Sequence, residues 1–339
     1  MKEVKVEDAI GMVLCHDITE IVPEKFKGTA FRKGHKIKEE DIEKFLDLGK
    51  KHIFVWDLQE GYLHENDAAY EMVKAAIGKG IDFGDPKEGK INLTAKYKGI
   101  LKINIDLLYK LNALGEICFA TIHGNKLVEK GKLLGGTRAI PLVIKKDKID
   151  EFTKLCKENG PLVEVLPLNE SKIGVVVTGS EIEDGRIEDK FYPVLEKKAE
   201  ELNGKIIGKV LAGDDPVRIK SAIMDFIEKG VDLVEVSGGM SVDPDDKTPA
   251  AIRDCNGEII TYGTPVLPGA MFMLSYVKGI PVVGLPGCVM YSKRTVYDLI
   301  VPRLLAKERL TNMDFIKLAH GGQCQGCNPC VYPDCGFGG

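Results

Sequence analysis

This chain of 339 residues has little tryptophan, a small net charge and no long apolar run. One tryptophan is present, and 47 Lys and Arg residues nearly balance 51 Asp and Glu residues, which leaves a formal net charge of −4. Because nucleic-acid binding needs a basic face, this balance argues against a nucleic-acid partner. No run approaches the ~18 apolar residues that span a bilayer, and residues 1–5 are too charged to begin a signal peptide. The sequence therefore predicts a cytoplasmic protein without a membrane partner.

The chain has nine cysteines, which a cytosolic protein keeps reduced. Five of them are dispersed in apolar or mixed contexts, where we expect structural thiols: Cys15, Cys118, Cys156, Cys255 and Cys288. The other four lie close together near the C-terminus, in a tail that we place at 313–339. This clustering indicates a site of its own.

The chain before residue 169 has short apolar runs and mixed periodicity, typical of smaller α+β regions. We divide it into an N-terminal α+β region at 1–60 and a middle α/β-rich region at 61–168, followed by a linker at 169–171. Helical patterns cover 38–48, 68–77 and 105–114, and strand-like patterns cover 117–122 and 139–144. No internal repeat is present.

After the linker, strands alternate regularly with helices. A buried strand is predicted at 173–177 and further strands at 205–210, 232–236 and 281–285. Helices are predicted at 191–202, 216–229, 248–254 and 288–306. This alternation indicates right-handed βαβ crossovers. We therefore predict that 170–312 form an α/β domain with a mostly parallel sheet in three layers.

The loops that follow these strands are the expected place for chemistry, since ligands of parallel sheets bind beyond the carboxyl ends of the strands. Each loop carries glycine, and most add hydroxyl or carboxylate side chains: 178–181, 213–216, 237–249 and 286–287. We predict that they converge on one cleft.

The third loop is the most informative of the four. Gly238 and Gly239 let backbone N–H groups approach an anion without a Cβ in the way, and Ser237 and Ser241 add hydroxyl groups. Thr248, followed by a proline, predicts the N-cap of a helix whose N-terminus faces the same space. These features favour an anion site.

Three carboxylates in the same loop point to a cation as well. Asp243, Asp245 and Asp246 would repel an anionic ligand unless a hard divalent cation, Mg²⁺, bridges them to it. The alternative is a solvated acidic turn with no ligand.

In order and approximate spacing, these loops resemble the molybdopterin-binding domain that molybdopterin adenylyltransferases and molybdopterin molybdotransferases share. The matching residues are Thr178-Gly179-Ser180-Glu181, Asp214-Asp215, Ser237-Gly238-Gly239-Met240-Ser241, Asp246-Lys247-Thr248-Pro249 and Leu285-Pro286-Gly287. More weakly, the segments 9–17, 130–131 and 136–138 resemble the N-terminal part of the molybdotransferases. The resemblance implies the molybdopterin-binding fold for 170–312.

The resemblance also assigns roles. It implies that Gly238, Gly239 and Ser241 hold the terminal phosphate of the pterin. Asp246 and Asp215 would bind Mg²⁺ or position the reacting phosphate or molybdate, and Glu181 would contact the pterin or the metal. The remaining cofactor-binding residues that it implies are Thr178, Gly179, Ser180, Ser237, Pro286 and Gly287.

Two functions follow from the resemblance, and the sequence leaves both open. One is molybdotransferase-like insertion of molybdate into adenylylated molybdopterin. The other is a non-catalytic molybdenum cofactor carrier, insertion chaperone or sensor, with a molybdoenzyme as a candidate partner. Departures from the molybdotransferase pattern favour the second: the signature aspartate is missing from 23–28, and Ala270 and Cys288 stand where lysine and asparagine follow Pro-Gly. The acidic residues around Asp246 favour the first.

A homodimer is a further implication, because in the molybdotransferases an N-terminal segment of the partner subunit completes the site. Here the region 11–34 would play that part. Its basic residues would offset the lysine missing at Ala270: Lys25, Lys27, Arg32 and Lys33.

The tail cysteines Cys324, Cys327, Cys330 and Cys335 are spaced C-x2-C-x2-C-x4-C. Four thiolates bind Zn²⁺ or an iron–sulfur cluster, and this spacing is closer to a ferredoxin half-motif than to a two-knuckle zinc site. Because the stretch has few apolar neighbours, we predict that the four cysteines ligate one metal centre and that the order of the tail depends on it. A disordered, thiol-rich tail is the alternative.

Overall fold

The computed structural model describes residues 2–22, 26–56, 61–241, 243 and 246–339. Several residues singled out in the sequence lie outside these ranges: Pro23, Glu24, Lys25, Pro244 and Asp245. Every helix within the described residues is too short or too polar to cross a membrane.

The described strands and helices cover most of the chain. The strands are β1 Lys2–Lys5, β2 Ile18–Val22, β3 Phe26–Phe31, β4 His52–Val55, β5 Tyr62–His64, β6 Ile81–Phe83, β7 Lys90–Ala95, β8 Gly99–Ile103, β9 Ile117–Thr121, β10 Leu127–Val128, β11 Leu133–Ala139, β12 Val143–Lys145, β13 Val163–Pro167, β14 Ser171–Val177, β15 Gly204–Leu211, β16 Leu233–Ser237, β17 Glu258–Tyr262, β18 Met273–Val277 and β19 Ile280–Leu285. The helices are α1 Asp41–Asp47, α2 Glu65–Ala76, α3 Ile105–Ala113, α4 Lys146–Asn159, α5 Ser180–Glu183, α6 Phe191–Glu201, α7 Pro216–Glu228, α8 Thr248–Asp254, α9 Cys288–Tyr291, α10 Val296–Leu305 and α11 Asn312–Ile316.

The chain forms two compact units. The first contains 1–95, 103–122 and 133–164, and the second contains 96–102, 123–132 and 165–339. The main segment of the second unit begins close to the predicted linker. The division of the rest into 1–60 and 61–168, and of the tail from residue 313, stays a prediction.

The first unit is built from small antiparallel sheets and helices. The strands β6, β7, β11 and β9 form a four-stranded sheet in that order, and β1 pairs with β4. A separate apolar core near the N-terminus contains Phe31 stacked on Phe45, with 4.1 Å between the ring centroids. The helices predicted at 38–48, 68–77 and 105–114 are confirmed as α1, α2 and α3, with slightly different ends.

The second unit contains a six-stranded sheet in the order β15-β14-β16-β19-β18-β17. The first four strands of this order are parallel, while β18 and β17 run antiparallel at one side. This confirms the predicted mostly parallel α/β sheet. The two antiparallel strands were not predicted from the sequence.

Helices cover both faces of this sheet, because successive strand residues point to opposite sides. Val175 and Val177 of β14 belong to a core that includes α6 and α10, whereas Val176 belongs to a second core with α7 and α8. Close packing also explains a glycine in β14, since a Cβ on Gly174 would lie 2.4 Å from the Phe226 ring. The predicted three-layer arrangement is confirmed.

Two predictions in this unit were wrong in detail. The single helix predicted at 288–306 is broken into α9 and α10, because Thr295 and Asp298 form a capping box that starts a new helix. The hairpin of β18 and β19 was missed. It turns through Lys278 and Gly279, which both have positive φ, as two-residue hairpin turns require.

Candidate functional site

The carboxyl ends of the four parallel strands lie level with one another at one edge of the sheet. Val177 of β14 pairs with Leu211 of β15 on one side and with Ser237 of β16 on the other. Ser237 in turn pairs with Leu285 of β19. The loops that leave these residues are the four predicted from the sequence, so their backbones start from the same edge.

Two of these loops are joined by hydrogen bonds at their first residues. The backbone N–H of Thr178 donates to the Ser237 carbonyl at 2.9 Å, and the Thr178 hydroxyl donates to the same oxygen at 3.0 Å. The Thr248 hydroxyl lies 3.3 Å from the Thr178 hydroxyl. Thr178, Ser237 and Thr248 are all buried, so their hydrogen bonds hold the first residues of these loops in position.

The two glycines of the third loop sit directly above these hydroxyl groups. Gly238 and Gly239 have φ of +89° and +56°. A Cβ at Gly238 would lie 2.8 Å from the Thr178 hydroxyl, and a Cβ at Gly239 would lie 2.8 Å from the Thr248 hydroxyl. Both the backbone conformation and the lack of space therefore require glycine here. Both residues are partly exposed, which leaves their backbone accessible to a ligand.

The role predicted for Thr248 as a helix N-cap was wrong. The N-cap of α8 is Lys247, which makes no side-chain capping bond, and Thr248 is the first helical residue. The Thr248 hydroxyl bonds to Thr178 instead, which ties α8 to the first loop.

The second loop uses its carboxylates in structural hydrogen bonds. Asp214 Oδ2 accepts from the backbone N–H of Ser180 at 2.8 Å and from the Ser180 hydroxyl at 2.7 Å. Asp215 is the N-cap of α7, and its Oδ1 accepts from the Val217 N–H at 2.9 Å. The residue that contacts the first loop is thus Asp214, whereas Asp215 starts the helix that follows.

The other predicted acidic residues are more open. Glu181 lies exposed in the short helix α5, with its carboxylate close to Gly179, where a Cβ would come within 2.9 Å of Glu181 Oε1. Asp246 is half-buried, and its backbone N–H donates to the Asp243 carbonyl at 3.0 Å. Ser241 and Asp243 are exposed. The structure does not describe Asp245, so the predicted acidic trio is seen only in part.

The fourth loop leads directly into α9. Pro286 is buried, and its carbonyl accepts from the Val289 N–H at 3.0 Å. Gly287 is exposed and serves as the N-cap of α9, with no atom within 4 Å of the position that a Cβ would occupy. The space above this residue is therefore open.

A buried polar network in the sheet was missed by the sequence analysis. Glu235 in β16 has no exposed surface, and its Oε1 accepts from the Tyr297 hydroxyl at 2.8 Å. The other oxygen, Oε2, has no hydrogen-bond partner among the described residues. Burial raises the pKa of Glu235 to about 7, although Tyr297 and Lys198 act to lower it. A single glutamate inside the apolar run of β16 was the signal that could have revealed it.

The cysteine tail is docked on the second unit. Phe337 is buried, and the Tyr332 hydroxyl donates to the Asp298 carbonyl at 2.8 Å. The buried ammonium of Lys126 donates to the carbonyls of Cys335 at 2.8 Å and Phe337 at 2.5 Å. Apolar packing and hydrogen bonds therefore hold the tail within the second unit, and the dependence of its order on a metal stays a prediction.

The sequence predicts two metal sites, one at Asp246 and one at the four tail cysteines. In the part of the chain that the structure describes, no group of three or more His, Cys, Asp or Glu side chains is arranged to hold a metal ion. Each of the nine cysteines is free. Both Mg²⁺ at Asp246 and a metal centre on the tail remain proposals.

Two family models match the chain. Residues 3–57 match a domain of unknown function (DUF8806), and residues 174–306 match the family described as "Probable molybdopterin binding domain". The second match covers all four loops of the candidate site. Its boundaries lie inside the predicted domain at 170–312.

The chain is also similar to parts of several individual proteins. A CinA-like protein of Mycobacterium leprae is 37% identical over 91 residues, which are 26% of this chain and 21% of that protein. The molybdopterin biosynthesis enzyme MoaB of Thermus thermophilus is 16% identical with a TM-score of 0.34, over 41% of this chain and 98% of that chain. The molybdopterin biosynthesis protein MoeA of Pyrococcus horikosii is 19% identical with a TM-score of 0.35, over 72% of this chain and 79% of that chain.

These structural likenesses have TM-scores below 0.5, so the assignment rests on the family model and the loop motifs. The motifs lie at the ends of β14, β15, β16 and β19, where the family model matches. Residues 174–306 therefore match the probable molybdopterin binding domain family.

Proposed function

We propose that the carboxyl edge of the parallel sheet binds molybdopterin and that its terminal phosphate lies over Gly238 and Gly239. The observation that carries this proposal is the glycine loop, whose backbone is partly exposed and whose conformation excludes any side chain. Backbone N–H groups in such a turn bind phosphate oxygens well. The exposed hydroxyl of Ser241 is a further donor for the same phosphate.

The other residues predicted to bind the cofactor fall into an exposed group and a buried group. Ser180 and Gly287 are exposed, so they are candidates for direct contact with the pterin. Thr178, Gly179, Ser237 and Pro286 are buried, and we assign them the task of holding the loops in place. The two hydrogen bonds from Thr178 to the Ser237 carbonyl support this positioning role.

For the chemistry, we propose Mg²⁺-dependent, molybdotransferase-like insertion of molybdate into adenylylated molybdopterin. Asp246 is the principal candidate ligand of Mg²⁺, because among the described residues its carboxylate neither caps a helix nor fixes another loop. Glu181 is the second candidate, since it is exposed beside Gly179. When bound, Mg²⁺ would neutralise the negative charge of the reacting phosphate.

A second candidate function is a non-catalytic carrier, insertion chaperone or sensor for the cofactor of a molybdoenzyme. One observation favours it: two of the carboxylates at the site, Asp214 and Asp215, are already engaged in hydrogen bonds that shape loops and cap a helix. A site with few free carboxylates can bind a pterin without catalysing its conversion.

One experiment separates the two functions. The purified full chain is incubated with adenylylated molybdopterin, Mg²⁺ and molybdate, and both retained pterin and released AMP are measured by mass spectrometry. AMP release that requires both Mg²⁺ and molybdate supports the transferase. Retention of pterin without AMP release supports the carrier, and failure to retain any pterin contradicts both.

We also propose a homodimer and a metal centre on the cysteine tail, each independent of the pterin site. Zn²⁺ and an iron–sulfur cluster are both compatible with the spacing of the cysteines alone.

A further inference from the structure

A cleft of about 460 Å³ lies between α6 and the segment that joins α9 to α10. Lys197 and Lys198 of α6 line one side, and Ser292, Lys293 and Arg294 line the other. Sites for small molecules have volumes of about 300–1,000 Å³, so this cleft is large enough for a ligand. None of the described residues that line it belongs to the four loops of the candidate site.

Two of the cations in the cleft are already balanced by carboxylates. Lys198 and Arg294 both donate to Asp298 Oδ1, at 2.7 Å and 2.8 Å, and Arg294 also pairs with Glu201 at 3.7 Å. Lys198 is buried, so this arrangement is a fixed part of the wall. We therefore assign Lys198 and Arg294 a structural role and count no charge from them toward a ligand.

Two other cations, Lys197 and Lys293, supply the excess charge, one from each side of the cleft. Lys197 is exposed and makes no ion pair with any residue that the structure describes. Lys293 Nζ lies 3.4 Å from Asn328 Oδ1, which is a neutral acceptor. Each ammonium group has three N–H donors, so both lysines keep donors for a ligand. The cleft therefore has two positive charges that no described carboxylate balances.

The same cleft offers a surface for a flat, apolar group. Met290 and Tyr291 lie in its lining, and Tyr291 is 76% exposed, so its ring is open to a ligand. Aromatic rings stack favourably, and a methionine side chain adapts to ligands of different shape. The Ser292 hydroxyl adds a neutral donor. These residues suit a ligand that has a doubly charged anionic group and a ring.

We propose that this cleft binds a phosphate monoester, with its phosphate between Lys197 and Lys293 and its ring against Tyr291. A phosphate monoester carries two negative charges above a pH of about 6, which matches the two unbalanced lysines. A carboxylate carries one charge, and inorganic phosphate has no ring. The site goes beyond the proposed function, because it shares no residue with the glycine loop at Gly238 and Gly239.

The test is calorimetric titration of the full-length chain with phenyl phosphate at low ionic strength. We expect saturable binding that weakens when salt is added, since the lysines at the site are exposed. Lys197→Gln and Lys293→Gln should each weaken the binding by about 5-fold or more. Inorganic phosphate should bind more weakly than phenyl phosphate, and phenol should not bind.

The matched control is Lys205→Gln, which removes an exposed lysine of β15 outside the cleft and should bind phenyl phosphate as the parent does. Circular dichroism checks that each variant is folded. Unchanged affinity in both Lys197→Gln and Lys293→Gln would overturn the proposal, and so would phenol binding as tight as that of phenyl phosphate. Inorganic phosphate that binds as tightly as phenyl phosphate would overturn the contact with Tyr291.

A second pair of measurements keeps this site apart from the proposed pterin site. Ser241→Ala should weaken pterin retention and leave the affinity for phenyl phosphate unchanged. Lys197→Gln and Lys293→Gln should retain pterin as the parent does. Loss of pterin retention in both lysine variants would show that the cleft belongs to the pterin site, which would overturn the proposal of a separate site.

Discussion

Glu235 is an acidic residue inside a mostly apolar strand. It lies fully buried in β16 between apolar neighbours, where an ionised carboxylate is costly. The Tyr297 hydroxyl satisfies one of its oxygens, and the other has no partner among the described residues. The carboxyl group therefore favours its protonated form.

This residue should make the stability of the protein depend on pH. Burial raises the pKa of Glu235 from 4.5 to about 7 in the folded chain. Between these two pH values the folded chain keeps a proton that the unfolded chain has released, so the contribution of Glu235 to the free energy of unfolding falls as pH rises. Glu235→Gln removes this titration. At pH 8 it should raise the free energy of unfolding by on the order of 1–3 kcal/mol relative to the parent, and at pH 4.5 the two should be similar.

Urea unfolding at the two pH values measures this effect. Glu188→Gln, which changes an exposed glutamate, is the control and should alter neither value. Equal effects of Glu235→Gln at both pH values would show that Glu235 does not titrate in this window.

The role proposed for Asp246 can be tested in the same way, by separating function from folding. The residue is half-buried in a loop, where its backbone N–H donates to the Asp243 carbonyl. Asp246→Asn should therefore change the free energy of unfolding by less than about 0.5 kcal/mol. It should weaken Mg²⁺-dependent AMP release by roughly 10-fold or more, because it removes one ligand of a hard cation.

The comparison variant is Asp243→Asn, which neutralises an exposed carboxylate in the same loop. We expect a smaller effect there. If Asp246→Asn leaves the rate and its Mg²⁺ dependence unchanged, the loop is a solvated acidic turn.

At the scale of secondary structure elements, α7 depends on the residue before it. Asp215 caps this helix through the Val217 N–H, and asparagine caps as well as aspartate. We expect Asp215→Ala to lower the free energy of unfolding by about 1 kcal/mol and Asp215→Asn to change it little. Thermal unfolding of the two variants measures the difference. A 10-fold loss of Mg²⁺ affinity in Asp215→Asn would instead support the role in metal binding that the resemblance implies.

The docked tail is a second element whose stability can be measured. Phe337 is 4% exposed and packs with the main core of the second unit. Phe337→Ala should lower the free energy of unfolding by about 3 kcal/mol, as is usual for a buried phenylalanine. It should also speed alkylation of Cys324 and Cys335, which are partly buried.

Val331 in the same tail is 51% exposed, so Val331→Ala is the matched control and should have little effect. The parent chain should keep its slow alkylation of Cys335 in the presence of a chelator. Rapid alkylation under that condition would support the prediction that metal binding orders the tail.

At the scale of the whole molecule, we predict a homodimer whose N-terminal region around residues 11–34 completes the partner's pterin site. The basic residues Lys27, Arg32 and Lys33 in this region would add positive charge to an anionic ligand. Light scattering coupled to size exclusion should give twice the chain mass of 37.2 kDa at micromolar concentration. A chain mass that stays at the monomer value, with and without pterin, would contradict this prediction.

Local patterns in the sequence were sufficient for much of the second unit. The alternation of strands and amphipathic helices predicted β14, β15, β16 and β19 and the helices between them. Burial on both faces leaves near-continuous apolar runs in β14, β16 and β19, whereas β15 is a largely exposed edge strand. The same alternation predicted which loops leave the carboxyl edge. The motif predicted a phosphate-binding role for Gly238 and Gly239. The structure explains why both positions are glycine, because a Cβ would collide with the Thr178 or Thr248 hydroxyl group.

Contacts between residues distant in the chain could be decided only by the tertiary structure. The Thr248 hydroxyl forms a hydrogen bond with Thr178, which lies 70 residues away in the chain. Asp214, and not Asp215, accepts a hydrogen bond from Ser180. The direction of each side chain depends on its neighbours in space, which the sequence does not show. The partner of Glu235 lies 62 residues away in Tyr297. In the tail, Cys324, Cys327 and Cys330 line one cavity, and Cys324 and Cys335 pack against the main core, which the spacing of the cysteines could not show. Periodicity and motif thus determined the elements and their loops, and long-range packing determined which side chains are free to act.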